Sequence, residues 1–185
     1  AQKSKLAVQA DGSVLASGKA PEKDTYTITV TNALKAITGL RVEALPDDSL
    51  PAKGPGRGAN GNFVLTEVAV KVQAGKGKAE PVKLFTAARA TIEQTAAGPQ
   101  KSWAAAFTID GDEKDATLGW AVLPEVGQAQ HLVLELAAPL TVEAGDTLTI
   151  ELRQNSTKKE HQLGKFRLST TSEAEAARVA HPAPP

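Results

Sequence analysis

The stretch Thr25-Tyr26-Thr27-Ile28-Thr29-Val30-Thr31 decides the fold class of this chain. Apolar residues occupy its even positions and threonines its odd positions. A period of two places the apolar side chains on one face of a β-strand. The same period recurs in the stretches 40–44, 64–72, 132–136, 148–152 and 166–169. Each predicted strand therefore has one apolar face that must be buried.

Turn-forming residues separate these stretches, for example at Asp11-Gly12, Gly98-Pro99 and Gly145-Asp146. Helical patterns are confined to a turn or two near 102–106 and to the stretch 172–178. One-sided strands with so little helix bury their apolar faces most simply against a second sheet. The sequence therefore predicts an all-β fold, an antiparallel β-sandwich of the jelly-roll type.

The length of 185 residues predicts a single domain. We expect the sandwich to span 1–171 and a linker to span 172–185. The final stretch His181-Pro182-Ala183-Pro184-Pro185 is typical of an extended tether, which predicts covalently linked neighbouring domains.

Composition and charge exclude several classes of protein. The chain has 21 basic and 21 acidic residues, so its balanced charge argues against a nucleic-acid partner. It has no cysteine, which excludes disulfides, thiolate zinc sites and thiol nucleophiles within these residues. No apolar run approaches the length of a membrane span, so membrane insertion is not expected. We expect a monomer.

The stretch Gly56-Arg57-Gly58-Ala59-Asn60-Gly61 matches the glycine-rich dinucleotide pattern. That pattern needs a helix N-terminus after it to hold the pyrophosphate, whereas a strand is predicted here. The stretch is therefore interpreted as a long surface loop. Its glycines allow a ligand to approach the backbone, and Arg57, Asn60 and Asn62 supply hydrogen-bond donors.

No motif in the sequence predicts catalysis. The three histidines, His131, His161 and His181, are isolated from nucleophiles and from metal-ligand spacings. We therefore predict that the protein is not an enzyme.

An acidic loop, Asp110-Gly111-Asp112, is followed by Asp115 and Thr117. It lacks the ligands that an EF-hand needs, since Lys114, Asp115 and Ala121 occupy the fifth, sixth and twelfth positions. Two interpretations stay open. The loop is either a solvated turn or a set of side-chain and carbonyl oxygens that bind calcium.

Two parts of the sequence resemble known proteins. The stretch Ala106-Phe107-Thr108-Ile109-Asp110-Gly111-Asp112 with Thr117-Leu118-Gly119-Trp120 resembles the signature of discoidin, or coagulation-factor type C, modules and their galactose-binding-like relatives. The resemblance implies a galactose-binding-like jelly roll in which Asp110, Asp112 and Thr117 are calcium ligands. It implies that Trp120 is a core residue.

The second resemblance covers most of the chain, from about Leu6 to Thr171. The stretches 37–51, 60–67 and 163–169 are similar to a segment of large planctomycetal cell-envelope proteins that carry a c-type cytochrome domain. This resemblance implies a module of an exported bacterial multidomain protein located in the cell envelope, periplasm or extracellular space. The haem signature is absent from this sequence, so electron transfer is not implied for it.

Glu67 is added to the calcium ligands from the sequence pattern alone. It lies among Phe63, Leu65 and Ala69, where a buried carboxylate without a partner is costly. A cation, a solvent-facing position or a salt bridge to an arginine would each explain it.

The leading functional hypothesis is a carbohydrate-binding module that binds a polysaccharide or other glycan through its loops. Sugar rings pack on aromatic planes and accept hydrogen bonds from polar side chains. The candidate ligand-binding residues are Trp103, Arg57, Asn60 and Asn62. Trp103 is either an exposed platform for sugar or a cap on the core. The alternative hypothesis is a structural or protein-interaction module that spaces the domains of a cell-envelope protein.

Overall fold

The computed structural model describes residues 4–31, 35–81, 85–95, 103–112 and 117–173. Strands and isolated β-bridges together account for 48% of these residues, and the part of the chain described contains no α-helix. Single 3-10 turns occur at Pro51–Lys53 and Ala105–Thr108. The strands are β1 (Lys5–Val8), β2 (Val14–Ser17), β3 (Asp24–Val30), β4 (Ala36–Ala44), β5 (Glu67–Gln73), β6 (Ala79–Pro81), β7 (Phe85–Ala90), β8 (Gln130–Thr141), β9 (Thr147–Gln154) and β10 (Lys165–Thr171).

The strands form two antiparallel sheets. The six-stranded sheet has the order β1-β2-β10-β4-β8-β7, and the four-stranded sheet has the order β3-β9-β5-β6. The predicted all-β, antiparallel β-sandwich is confirmed. The jelly-roll form stays a prediction, and it is favoured by the way β2, β3, β4 and β5 alternate between the two sheets.

The stretch that predicted the fold forms β3, at one edge of the four-stranded sheet. Tyr26 is 2% exposed, and its ring stacks on Phe166 of the other sheet at a centroid distance of 5.6 Å. Its hydroxyl donates a hydrogen bond of 2.9 Å to the Leu163 carbonyl. Burial raises the pKa of Tyr26, so the phenol stays protonated and able to donate. The ring of Tyr26 thus packs against the other sheet, and its hydroxyl is hydrogen-bonded to the connection that leads into β10.

The neighbouring strand β9 shows the same alternation in burial. Leu148, Ile150 and Leu152 are buried between the sheets. On the opposite face, Glu151 forms ion pairs with Lys71 and Arg153. Hydrogen bonds from Lys71, opposed in part by burial, lower the pKa of Glu151 and keep the carboxylate charged. The period of two thus separates the apolar face from the charged face, as the sequence predicts.

Trp120 is the largest side chain of the core. It is 0% exposed and meets Phe63 edge-to-face at a centroid distance of 5.0 Å. Its indole nitrogen donates a hydrogen bond of 2.9 Å to the Ile92 carbonyl. The prediction that Trp120 is a core residue is confirmed.

The stretch 64–72 is only partly a strand, because β5 begins at Glu67. Before that point the backbone pairs with loops. Leu65 exchanges hydrogen bonds with Trp120, and Val64 donates to the His161 carbonyl over 2.9 Å. The predicted helical turn near 102–106 is the 3-10 turn Ala105–Thr108.

The predicted linker 172–185 lies almost wholly outside the described residues, which end at Glu173. Across the residues that the structure describes, no helix has the length and apolar character needed to cross a membrane.

Truncating Trp120 tests the packing of the core. We expect Trp120→Ala to lower the free energy of unfolding by about 3–5 kcal/mol, because it opens a cavity and leaves the Ile92 carbonyl without its donor. The measurement is urea unfolding followed by circular dichroism. Trp103→Ala, which truncates a partly exposed tryptophan, is the control and should cost less. Equal losses for the two variants would contradict this description of the core.

Candidate functional site

The long connections of the sandwich gather at one end. Ala44, at the end of β4, pairs with Gln130 at the start of β8 and with Phe166 near the start of β10. In the other sheet, Gln154 at the end of β9 pairs with Asp24 at the start of β3. The described parts of the connections 18–23, 45–66, 91–129 and 155–164 therefore lie together. We call this region the loop end.

Glycines in the connection 45–66 permit very close backbone packing. A Cβ atom on Gly54 would lie 2.4 Å from the Gly61 carbonyl oxygen, and one on Gly56 would lie 2.0 Å from the Asn62 carbonyl oxygen. A Cβ atom on Gly58 would lie 2.9 Å from the imidazole ring of His161. The glycine-rich pattern is thus accounted for by the folding of the loop back on itself.

Arg57 binds protein groups at the loop end. Its guanidinium donates a hydrogen bond of 2.6 Å to the Ser4 hydroxyl and another to the Gly18 carbonyl. Its backbone N–H donates to the Gln162 carbonyl over 2.8 Å. These contacts join the chain near β1 to two loops, which is a structural use of this predicted ligand-binding residue.

Asn60 and Asn62 lie close in the chain but differ in exposure. Asn60 is exposed, and its side-chain oxygen accepts a hydrogen bond of 3.1 Å from the Asn62 backbone N–H. Asn62 is 3% exposed. Its position beneath the loop surface therefore differs from the surface position expected from the sequence, because its amide is used inside the protein.

The buried amide of Asn62 pairs with that of Gln94. Asn62 Nδ2 donates to Gln94 Oε1 over 2.8 Å, and Asn62 Oδ1 accepts a hydrogen bond of 3.1 Å from the Val122 backbone N–H. Gln94 Oε1 also accepts a hydrogen bond of 3.2 Å from the Leu123 N–H. This amide pair joins the connections 45–66 and 91–129. Gln94 cannot be predicted as a site residue from the sequence, because no local pattern distinguishes it from a surface glutamine.

Trp103 is attached to the same amide pair through the backbone of Gln94. Its N–H donates to the Gln94 carbonyl over 2.8 Å, and its indole Nε1 donates to the Thr117 carbonyl over 3.1 Å. The side chain is partly exposed, in contrast to Trp120. Trp103 is therefore held in place by hydrogen bonds while part of its surface stays accessible.

An open groove runs along β7 and its continuation at the edge of the six-stranded sheet. Its volume is about 390 Å³, and the residues that line it are Ala88, Arg89, Ala90, Thr91, Ile92 and Glu93. Glu93 Oε1 accepts a hydrogen bond of 2.8 Å from the Ala105 N–H, which fixes the groove to the 3-10 turn 105–108. The groove ends one residue before Gln94, to which Trp103 is bound. We call it the edge groove.

A charged carboxylate, that of Asp47, connects the loop end to the six-stranded sheet. Asp47 accepts hydrogen bonds from the Ser49 hydroxyl over 2.6 Å, from the Ser49 N–H over 3.0 Å and from Lys165 Nζ over 3.0 Å. These donors, with the Ser49 hydroxyl first, lower the pKa of Asp47 to about 2. The carboxylate is therefore charged at neutral pH and ties the connection 45–66 to β10.

The predicted calcium ligands belong to two parts of the chain, Asp110, Asp112 and Thr117 to the connection 91–129 and Glu67 to β5, where it is half-buried. Asp110 and Asp112 are exposed, and Asp110 Oδ1 accepts a hydrogen bond of 2.9 Å from the Asp112 N–H, as in an ordinary turn. Glu67 lies in β5 directly opposite Arg153, consistent with the salt-bridge interpretation of this residue. Among the described residues, no three His, Asp or Glu side chains form a group suited to a metal ion. Asp115 lies outside the described residues.

The structure brings some of the predicted site residues together. Trp103 contacts Thr117, and Gln94 links Trp103 to Asn62. Arg57 instead contacts Ser4 and Gly18. The contacts among the described residues do not bring all four predicted ligand-binding residues onto one surface. These residues are Trp103, Arg57, Asn60 and Asn62.

Comparisons with known proteins give no neighbour for this chain, since no family model, curated protein or solved structure matches it. The resemblances to discoidin-type modules and to planctomycetal envelope proteins stay predictions.

The glycine-rich loop leads to a stability prediction. We expect Gly56→Ala to destabilise the protein by about 1–3 kcal/mol, because the new methyl group overlaps the backbone at Asn62. Gly127→Ala is the matched control, since a Cβ atom there meets nothing within 4 Å. Thermal unfolding of both variants is the measurement. Equal melting temperatures would contradict the close packing of this loop.

Calcium binding at Asp110, Asp112 and Thr117, with Glu67, is tested by melting the protein with excess calcium and with a chelator. An ion that binds only the folded state must raise the melting temperature. We expect that rise to be lost in Asp112→Asn. Identical melting curves with calcium and with chelator would exclude the ion.

Proposed function

We propose that this chain is a non-catalytic carbohydrate-binding module whose saccharide lies in the edge groove and against Trp103. The observation that carries the proposal is a partly exposed tryptophan, held by two hydrogen bonds, one of them to Gln94, the residue that follows the end of an open polar groove. An aromatic plane with nearby polar side chains is the combination that binds sugar rings.

The chemistry of the edge groove suits a polyhydroxylated ligand. Arg89 supplies donors, Thr91 carries a hydroxyl and Glu93 is an acceptor, while Ala88 and Ala90 leave room beside the strand. Thr91 is held by a hydrogen bond of 2.6 Å from its hydroxyl to Gln130 Oε1. Fixed polar groups reduce the ordering cost of binding.

The proposal includes the setting implied by the resemblances, a module of an exported bacterial multidomain protein. In that setting a module that binds polysaccharide keeps its linked neighbours close to the glycan and raises their local concentration.

A second candidate is a structural or protein-interaction module, and strand β1 favours it. Leu6 and Val8, both on β1, are the exposed large apolar side chains among the described residues, with 39% and 78% exposure. Because β1 is an edge strand of the six-stranded sheet, a neighbouring domain could cover both side chains.

Substitution of Trp103 tests the proposed function. We expect Trp103→Ala to abolish retardation in polysaccharide-containing gels, because the aromatic plane is lost. Trp103→Phe keeps an aromatic plane and should retain most of the binding, although it loses the hydrogen bond to Thr117. Thr27→Ala, on an exposed position of β3, is the control for a neutral surface change.

The proposed site is wrong if Trp103→Ala binds polysaccharide as tightly as the unmodified protein. The proposed function is wrong if the unmodified protein is retarded by no glycan in a broad panel. Melting curves of each variant separate loss of binding from loss of folding.

A further inference from the structure

The connection 45–66 contains the only asparagine of the sequence that is followed by glycine, in the pair Asn60-Gly61. Asn60 is exposed, and Gly61 has a φ of +78°, in the left-handed region that favours glycine. Glycine has no side chain to shield its own backbone nitrogen from the side chain of the residue before it. Asparagine is one of the thermolabile residues in proteins. This pair is therefore a place where a side-chain amide and a backbone amide can react with each other.

The other asparagines that the structure describes lack this arrangement. Asn62 is 3% exposed and is followed by Phe63. Asn155 is half-buried and is followed by Ser156, which is 2% exposed. Asn62 and Asn155 therefore serve as internal references, since each has the side chain of Asn60 without the following glycine.

Hydrogen bonds in the folded loop hold both groups that would react. The Gly61 N–H donates to the Gly58 carbonyl over 2.7 Å. The Asn60 side-chain oxygen accepts a hydrogen bond of 3.1 Å from the Asn62 N–H. To attack Asn60 Cγ, the Gly61 nitrogen must lose its proton and turn away from Gly58. The reaction therefore competes with the hydrogen bonds that close this turn.

Close packing around the Gly61 carbonyl restricts that rotation. The Gly56 N–H donates to the Gly61 carbonyl over 2.9 Å, so both backbone groups of Gly61 are bound within the loop. The space beside Gly54 is filled as well, because a Cβ atom there would lie 2.4 Å from the Gly61 carbonyl oxygen. Rotation of the peptide group between Asn60 and Gly61 therefore requires the two arms of the loop to separate. Such a separation is a local opening, of the kind that folded proteins undergo.

We propose that Asn60 is a site of spontaneous deamidation and that the folded loop end controls its rate. The Gly61 nitrogen forms a bond to Asn60 Cγ, its proton passes through water to Nδ2, the Cγ–Nδ2 bond breaks, and Nδ2 leaves as ammonia. Water then opens the cyclic imide. Cleavage of the Cγ–N bond gives aspartate, and cleavage of the backbone C–N bond gives isoaspartate. The net change is the hydrolysis of one amide, so neither an oxidant nor a reductant is needed.

The two products differ in how well the loop accommodates them. Aspartate keeps an oxygen at the position of Asn60 Oδ1, so the hydrogen bond from the Asn62 N–H is retained. Isoaspartate carries the main chain through Cβ and Cγ, which lengthens it by one carbon atom beside the closely packed Gly54 and Gly56. The added carbon also displaces Asn62, whose side chain is paired with Gln94. We therefore expect the isoaspartate form to lose the arrangement of the loop end.

Incubation of the protein at mildly alkaline pH, with and without urea, tests the proposal. Fragment-ion mass spectrometry measures the conversion at each asparagine, and chromatography against synthetic peptides separates the aspartate and isoaspartate products. We expect Asn60 to convert at least about tenfold more slowly in the folded protein than in urea, because folding restricts the reaction to opened molecules. In urea, Asn60 should convert faster than Asn62 and Asn155.

Three variants locate the control of the rate. Asn62→Ala removes the pairing with Gln94, so it should raise the rate at Asn60 in the folded protein and leave the rate in urea unchanged. Asn60→Gln lengthens the side chain by one methylene group and disfavours ring closure, so it should abolish the conversion. Thr27→Ala, on an exposed position of β3, is the control and should change neither rate. Circular dichroism of each variant checks that it is folded.

Melting curves of the separated products test their effect on the loop. The aspartate form, made directly as Asn60→Asp, should melt as the unmodified protein does, because a surface substitution that keeps its hydrogen bond costs little. The isoaspartate form, isolated by chromatography, should melt at a lower temperature.

Four outcomes would overturn the proposal or one of its parts. Conversion of Asn62 or Asn155 in urea as fast as that of Asn60 would reject the site. Equal rates at Asn60 in the folded protein and in urea would show that the fold does not control the reaction. A folded Asn62→Ala variant that deamidates no faster would exclude control by the amide pair. An isoaspartate form that melts with the unmodified protein would show that the loop has room for it.

Discussion

The amide pair formed by buried Asn62 and half-buried Gln94 is the contact on which the loop end depends. Each amide oxygen accepts a backbone N–H from the segment after Trp120, and Asn62 also donates to Gln94. A buried amide that loses its partner costs more than the net value of one hydrogen bond. The pair therefore favours a single arrangement of two long loops that have little regular structure. The position of Trp103 follows from it, since the Trp103 N–H donates to the Gln94 carbonyl.

The strands that could be predicted are those in which one face is apolar and the other polar. In β3 and β9, threonines or charged residues alternate with large apolar residues. The two-residue period can therefore be recognised from the sequence of each strand alone. The strands that could not be predicted lack that contrast. β7 has the sequence Phe-Thr-Ala-Ala-Arg-Ala, and its identity as a strand depends on pairing with β8. The register shift near Phe85 interrupts the period further.

The candidate site could be predicted only in part, for a related reason. Trp103 can be predicted from the sequence because it is one of two tryptophans and the other is predicted to be a core residue. The sequence predicts a surface position for Asn62 because a glycine-rich loop is usually solvated, whereas the buried position of Asn62 depends on Gln94, which is 32 positions away. The row formed by Arg89, Val133 and Arg41 across β7, β8 and β4 depends on cross-strand register. Sequence spacing carries no information about that register.

The most direct test of the structural account is hydrogen exchange of Asn62→Ala, with assigned amides compared between variant and unmodified protein. We predict that the Val122, Leu123 and Trp103 amides lose protection, because the variant removes one acceptor and frees the Gln94 side chain. Amides in the centre of β4 and β8 should keep their order of protection, since strand pairing there is unchanged. Unchanged protection at Val122, Leu123 and Trp103 would contradict the claim that the amide pair of Asn62 and Gln94 holds the loop end.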